Sequence, residues 1–182
     1  MVFLKNNVNI RRSILVLLQI VEEQKKQIIK LSRNAALAKA EHYCAYQERS
    51  QQEARDKLYE WGLWKDDVEE LISELIQTNF LNEERFAMAY VSGKFKIKKW
   101  GKVKIKQGLK IKRVPDKMIA NVLKTIDADE YLKTILVLAE KKIGSIHEKD
   151  AYKRRYKLTT YLIGRGFEND LIADVLKSND LA

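Results

Sequence analysis

The chain has 182 residues, of which 35 are Lys or Arg and 25 are Asp or Glu, so its formal net charge is +10. One proline and seven glycines are far below average usage, which argues against an all-β or loop-built protein. With 46% hydrophobic residues the chain can bury a core, whereas two histidines and one cysteine leave almost nothing from which to build a zinc site, which needs three or four protein ligands.

Helical periodicity and helix boundary signals predict nine helices after residue 34. Apolar residues spaced three and four apart, as at Val68, Leu71 and Ile72, form one buried stripe. Ser50 followed by Glu53 predicts a capping box at a helix start, and Gly62 predicts a helix end. The predicted helices span 35–47, 50–61, 65–78, 82–94, 100–112, 115–126, 128–143, 148–164 and 168–178.

The apolar pattern repeats along the chain. Leu58 recurs as Leu109 after 51 residues and as Leu162 after a further 53, and the neighbouring apolar positions shift with it. The register makes Leu71, Leu123 and Leu176 buried stripe positions. The sequence therefore predicts an all-α fold of three tandem three-helix repeats, at residues 34–80, 81–127 and 128–182. Residues 1–33 form an N-terminal extension of unknown role.

One stretch has a second interpretation. Residues 94–98 and 102–106 alternate lysine with apolar residues, a period-two pattern that by itself is typical of a half-exposed strand. Because Ile105 and Leu109 occupy the positions of Ala54 and Leu58 in the repeat, the register favours a helix.

Charge is unevenly distributed. Residues 53–84 carry ten acids and three bases, a net of −7, whereas residues 85–115 carry eleven bases and no acid. A solubilising surface normally intersperses both signs, so the acid-free stretch indicates contact with a polyanion. Phe95 and Trp100 lie among these lysines, as in surfaces that pair phosphate contacts with base stacking. The candidate binding residues are Lys94, Lys96, Lys98, Lys99, Trp100, Lys102, Lys104, Lys106, Lys110, Lys112 and Arg113.

Alternatives remain open for several of these features. The lysines could form a solvated face, and Trp100 could pack between helices instead of stacking on a base. A secondary basic group consists of Lys153, Arg154, Arg155, Lys157 and Arg165, and it either contacts the same polyanion or is solvated. The acidic residues Asp66, Asp67, Glu69, Glu70 and Glu74 complement a helix start or dock a partner.

Three segments carry a resemblance to a known family. Residues 49–54, with Leu58 and Gly62, and residues 80–87 and 99–101 resemble the RecX family, which comprises bacterial regulators of the RecA recombinase. The resemblance covers residues 35–178. Two positions depart from the family pattern: Arg113 stands where the middle repeat usually has Gly, and Gly108 stands where an acidic residue is favoured. We expect the Arg113 turn to differ and Gly108 to weaken its helix by about 0.5–1 kcal/mol relative to Ala.

The resemblance implies an elongated, curved array of helices packed at right angles. It also implies that the protein binds the RecA filament on single-stranded DNA and inhibits its ATPase and strand exchange, in DNA repair and the SOS response. We therefore expect a monomeric, cytoplasmic, non-enzymatic regulator with no cofactor, membrane contact or small-molecule substrate. A freestanding helical DNA-binding protein and a helical protein–protein scaffold are the alternative hypotheses.

Overall fold

A computed structural model describes residues 31–181 of the chain. This part contains nine α-helices and no strand. The helices of the first repeat are α1 (Arg33–Tyr46), α2 (Gln51–Glu60) and α3 (Lys65–Gln77). Those of the second are α4 (Glu83–Ser92), α5 (Lys102–Ile111) and α6 (Asp116–Leu123). Those of the third are α7 (Ala128–Ile143), α8 (Ala151–Arg165) and α9 (Asn169–Ser178).

Side-chain caps explain several of the helix starts. Ser50 accepts from the backbone N–H of Glu53, whose carboxylate accepts from the N–H of Ser50 in return, as the sequence predicts. Asn82, Asp127 and Asp150 cap α4, α7 and α8. Each side chain accepts a hydrogen bond from the backbone N–H three residues later. These bonds satisfy backbone donors that a helix leaves free at its N-terminus.

The same turn joins the second and third helices of every repeat. Gly62, Arg113 and Gly166 all adopt left-handed backbone conformations, with φ of 83°, 58° and 91°. The next residue then donates to a carbonyl five positions back: Leu63 to Leu58, Val114 to Leu109, and Phe167 to Leu162, at 3.1–3.3 Å. The expectation of a different turn at Arg113 is wrong, because the arginine accepts the left-handed strain, about 1 kcal/mol, that glycine avoids.

Gly108 in α5 lies against a side chain of α4. A Cβ added at Gly108 would overlap the hydroxyl of Tyr90 on α4. The glycine therefore permits close packing of α4 on α5. A larger side chain at this position would require the Tyr90 ring to move.

The predicted stripes are buried. Ala54, Ile105 and Leu158 occupy one position of the repeat, and each is at most 2% exposed. Val68, Ile119 and Ile172 occupy another position of the repeat, and all three are fully buried. Two predicted stripe positions are exceptions: Leu123 is only partly buried at the edge of the core, and Ile76, at the end of the first stripe, is 42% exposed. The all-α fold of three-helix repeats is confirmed, including the helix assignment of residues 102–106.

The described helices enclose two hydrophobic cores. One core belongs to the first repeat and includes Leu58, Leu71 and Leu81. The other is continuous through the second and third repeats, where Ile105 and Leu162 belong to a single cluster. The second and third repeats thus share a core that the first repeat does not join.

Most of the N-terminal extension predicted at residues 1–33 lies outside the described residues. Within residues 31–181, no helix is both long enough and apolar enough to span a bilayer.

Candidate nucleic-acid interface

The lysine-rich connection between α4 and α5 begins with a π-helical segment, Gly93–Ile97, that continues α4. In it, the N–H of Lys98 donates to the carbonyl of Gly93, five residues back. The wider turn places Phe95 in the core, 2% exposed, with its ring centroid 5.7 Å from that of Tyr131. Phe95 therefore packs and is not available to stack on a base. π-Helical segments occur often at functional sites.

Trp100 is half-buried and packs against the core of the second and third repeats. The ammonium groups of Lys94 and Lys104 lie 5.0 and 4.8 Å from its ring centroid, within cation–π range. The structure thus brings together three predicted site residues, Lys94, Trp100 and Lys104. It also gives Trp100 a packing contact against the core, while part of its surface stays exposed.

The first residues of α5 meet the end of α8. The N–H of Gly101 donates to the carbonyl of Arg165 at 2.9 Å, and the N–H of Val103 donates to that of Gly166 at 3.0 Å. A Cβ on Gly101 would overlap the backbone of Gly166, so the approach requires glycine. The free donors of one helix start and the free acceptors of another helix end satisfy each other, and the two dipoles are complementary.

Tyr131 completes this junction. Its buried hydroxyl accepts from the N–H of Lys102 at 2.8 Å and donates to the carboxylate of Glu168 at 2.5 Å. Burial and the hydrogen bond to Glu168 raise the pKa of Tyr131 well above its ordinary value. The ammonium of Lys102 lies 4.6 Å from the Tyr131 ring centroid. Lys102 is thus held by the junction as well as belonging to the basic stretch.

Side chains from the third repeat also reach the basic stretch. The Arg165 guanidinium donates to the carbonyl of Lys98 at 3.0 Å, and the Lys104 ammonium donates to the carbonyl of Gly164 at 3.3 Å. Arg165, predicted as part of a secondary basic group, therefore lies beside the main group. Only the tertiary structure brings these positions together, because 67 residues separate Arg165 from Lys98.

The C-terminal part of the stretch is paired with acids from elsewhere in the chain. The ammonium of Lys112 lies 2.5 Å from Glu53 of the first repeat, with both side chains about three-quarters buried. Lys110 pairs with Asp116 at 3.0 Å, in an exposed bridge. A stretch without acids in sequence is therefore not free of acids in space. Arg113 stays exposed in its left-handed turn.

Four lysines remain fully available for an anionic ligand. They are exposed, and none forms an ion pair with any carboxylate of the described residues. Like charges so placed repel one another unless an anion offsets them. We call this set the free lysine surface: Lys96, Lys98, Lys99 and Lys106.

The remaining members of the secondary basic group lie on α8. Lys153 and Arg155 are exposed and Arg154 is half-buried, while Lys157 pairs with Glu148 at 2.9 Å. The same helix carries two exposed aromatic residues, Tyr152 and Tyr156, that the sequence interpretation missed. Their four-residue spacing within a basic helix was the available signal.

The first and second repeats meet through polar contacts. Besides the pair of Glu53 with Lys112, the N–H of Gln51 donates to Glu83 at 2.7 Å, and Arg85 bonds to Glu48 at 2.5 Å. Burial raises the pKa of Glu83. Burial also acts to raise the pKa of Glu53, but hydrogen bonds from Lys112 and Ser50 outweigh it and lower that pKa.

The acidic residues of α3 are partly neutralised within the first repeat. Arg55 forms a two-point hydrogen bond with Glu69, at 2.8 and 3.0 Å, and Arg33 lies within ion-pairing distance of Glu70 and Glu74. Two of the predicted acids, Asp66 and Asp67, lie in the first turn of the helix. No group of three or more potential ligands within residues 31–181 is placed to hold a metal ion.

These observations define a class of protein: an all-helical repeat protein with a basic face where its second and third repeats meet. Comparison with known families is more specific. Residues 36–75, 82–123 and 129–176 match the first, second and third three-helix domains of RecX, respectively. The chain belongs to the RecX family.

Individual relatives agree. A "Regulatory protein RecX" of Clostridium botulinum strain Eklund 17B is 34% identical over 131 residues, which are 71% of this chain and 61% of that protein. One from Prosthecochloris aestuarii is 31% identical over 141 residues, 78% of this chain and 91% of that one. The crystal structure of RecX from Lactobacillus salivarius has a TM-score of 0.75 at 25% identity, covering 82% of this chain and 97% of that chain. The matched part spans about three-fifths of the clostridial relative.

Proposed function

We propose that this protein is a regulator of the RecA recombinase that binds the RecA filament on single-stranded DNA and inhibits its ATPase and strand exchange. Membership of a family whose relatives are named regulatory proteins supports the regulatory role. The observation that carries the DNA part of the proposal is the free lysine surface. Four exposed lysines without an ion-pair partner among the described residues, close in sequence to a packed tryptophan, suit a phosphate backbone, whose neutralisation releases counterions.

The chemistry of this surface favours the backbone of DNA over its base edges. Sequence readout in the major groove relies on Arg, Asn or Gln making paired hydrogen bonds to bases. The free lysine surface offers point charges without that geometry. A strand held in a filament, whatever its sequence, is a ligand that such a surface can follow.

The remaining elements of the proposal concern the state of the protein. It acts as a cytoplasmic monomer without catalytic activity or a cofactor. The helices outside the free lysine surface contact RecA. In this arrangement the buried thiol of Cys44 is a core residue with no chemical role.

The test is RecA ATPase on single-stranded DNA, measured with and without the protein over a series of salt concentrations. We expect inhibition at low salt that weakens as salt rises, because phosphate contacts are screened. The triple variant Lys96→Glu, Lys98→Glu and Lys106→Glu should fold normally and inhibit poorly. These three lysines are preferable to Lys102 and Lys104, whose side chains also contact Tyr131 of α7 and the carbonyl of Gly164 in α8, respectively.

A matched control separates position from net charge. Lys117, Lys124 and Lys177 are exposed and unpaired among the described residues, and their replacement by Glu changes the charge by the same amount. Inhibition should survive in this control. If both triple variants lost inhibition of RecA ATPase to the same extent, the position of the lysines would not matter, and they would serve only to keep the protein soluble. Sequence-specific binding of duplex DNA without RecA would favour the freestanding DNA-binding alternative.

A further inference from the structure

The outer face of α8 carries an aromatic stripe. Tyr152 is 81% exposed and Tyr156 is 66% exposed, and Ile163 is about half exposed. At 100° of rotation per residue, these three positions lie within about 40° of one another on the helix. Large apolar side chains so exposed and so aligned contribute nothing to either core, so they are available to a ligand.

A groove of about 400 Å³ runs beside this stripe. It lies between the end of α7 and the middle of α8 and is lined by residues that include Tyr156, Ile146 and Thr160. Two ammonium groups, those of Lys142 and Lys157, and the imidazole of His147 also line it. This volume falls within the range of small-ligand sites, about 300–1,000 Å³.

The charges around the groove favour an anion with a flat apolar part. Lys153 and Arg155 are exposed on the same helix, and Lys142 lies in the groove 5.4 Å from the Tyr161 ring centroid. Two acids lie nearby: Glu148 is bound to Lys157 at 2.9 Å and accepts from the N–H of Asp150, and the carboxylate of Asp150 caps the start of α8. The bases are therefore only partly offset.

We propose that Tyr152 and Tyr156 form a stacking platform for the nucleobases of single-stranded nucleic acid. Lys142 and the basic side chains of α8 hold its phosphates. Aromatic side chains beside cations are the means by which proteins bind single strands without sequence preference. The inference deepens the proposed function and rests on it for the identity of the strand. It adds a second contact site, in the third repeat, to the free lysine surface of the second.

The two sites are linked through α8 but lie on different sides of it. Arg165, at the end of α8, is hydrogen-bonded to the carbonyl of Lys98. Tyr156 is nine residues earlier in the same helix, which is about 14 Å along its axis. At 100° per residue the two positions also differ by about 180° around the helix, so a strand that touched both sites would have to pass around α8.

The experiment compares two oligonucleotides of equal length in the absence of RecA: one of thymidine and one in which every base is absent. Both carry the same phosphates, so only stacking distinguishes them. We expect the full-length protein to bind the thymidine strand about tenfold or more tightly, the effect of one or two stacked bases. In the double variant Tyr152→Ala and Tyr156→Ala this preference should disappear, while the salt dependence of binding stays the same.

Two further variants control the result. Tyr152→Phe with Tyr156→Phe keeps both rings and should keep the preference for the thymidine strand. Tyr46→Ala removes an equally exposed tyrosine from α1, in the first repeat, and should leave the preference unchanged. Circular dichroism of each variant checks that the helices remain.

The outcomes separate this inference from the proposed function. Equal affinity of the unmodified protein for the two strands, or a preference unaffected by the alanine variant, overturns the platform. Loss of RecA inhibition in the alanine variant with an unchanged strand preference also overturns it, because the stripe then docks a protein. A clear preference for thymidine in a protein that leaves RecA ATPase unchanged supports the platform and contradicts the proposed function.

Discussion

The backbone N–H of Gly101 donates to the carbonyl oxygen of Arg165 at 2.9 Å, so α5 begins where α8 ends. This contact and the shared core make the second and third repeats one mechanical unit. The first repeat has its own core and meets the second through the ion pair of Glu53 with Lys112 and neighbouring polar bonds. The lysine-rich stretch therefore lies on the part of the molecule that the second and third repeats form together.

Replacing Gly101 with Ala should destabilise the protein by at least about 2 kcal/mol, because the new methyl group overlaps the backbone of Gly166 and overpacking has this magnitude. Gly164→Ala is the matched control. Its Cβ meets nothing within 4 Å, and Ala in place of a helical Gly should stabilise by about 0.5–1 kcal/mol. Urea unfolding of both variants measures the difference. Equal stability of the two would contradict the close approach of α5 to α8.

The core substitutions should differ according to burial. Leu71→Ala and Leu176→Ala remove fully buried side chains and should each destabilise by about 2–5 kcal/mol. Leu123→Ala should have a smaller effect, about 1 kcal/mol, since this side chain is only partly buried. Thermal or urea unfolding provides the values. If Leu123→Ala were as damaging as Leu71→Ala, the position of α6 would be wrong.

Lys112 and Lys106 should behave differently despite belonging to one basic stretch. Lys112→Gln breaks the partly buried pair with Glu53 and should lower stability by about 1–2 kcal/mol, with little effect on DNA affinity. Lys106→Gln should leave stability within about 0.5 kcal/mol and reduce the salt slope of DNA binding by about one. Unfolding curves and salt titrations of both variants measure these changes. If Lys112→Gln changed the salt slope and Lys106→Gln lowered stability, then Lys112 and not Lys106 would contact the DNA.

Single-stranded DNA binding by the isolated protein should depend steeply on salt. If the four free lysines, Lys94 and Lys104 neutralise about six phosphates, affinity should fall about three-hundredfold between about 50 and about 200 mM salt, because the slope for a single strand is about 0.7 per phosphate. Fluorescence anisotropy with several unrelated sequences measures the slope and the expected lack of sequence preference. A flat titration would contradict phosphate contact.

Cys44 should be chemically inert in the folded protein. Its side chain is 5% exposed, and burial raises the pKa of its thiol to about 11. At pH 8 only about one thiol in a thousand is therefore ionised, and the thiolate is the reactive form. Ellman's reagent should label the native protein slowly and the urea-unfolded protein at once. Rapid labelling of the native protein would show that α1 separates readily from the first-repeat core.

Glu53 gives stability a pH dependence of known sign. Its pKa in the folded state is lowered, so its contribution is present above its unfolded pKa and is lost as pH falls through the folded value. Glu83, whose pKa burial raises, acts in the opposite direction. The two carboxylates lie at the same polar junction, and their opposing effects partly cancel there.

Most of the helix boundaries could be predicted from the sequence because they depend on local chemistry. The capping box of Ser50 and Glu53 and the stop at Gly62 act within one turn of the chain. Other helices could be predicted from the repeat. Residues 102–106 alternate lysine with apolar residues like a strand, but the repeat register predicts a helix there, as the structure has it. Left-handed Arg113 follows the same register, although its side chain alone does not favour that conformation.

The sequence by itself determined the all-helical fold, its repeats and the excess of positive charge, because apolar periodicity and net charge are properties of the chain. Only the tertiary structure decided which lysine and arginine side chains have no ion-pair partner. It paired Lys112 with Glu53 across 59 residues, buried Phe95 and brought Arg165 to Lys98. The physical reason is that burial and ion pairing depend on which helices pack together. Contacts between distant residues leave no periodic signal in the sequence.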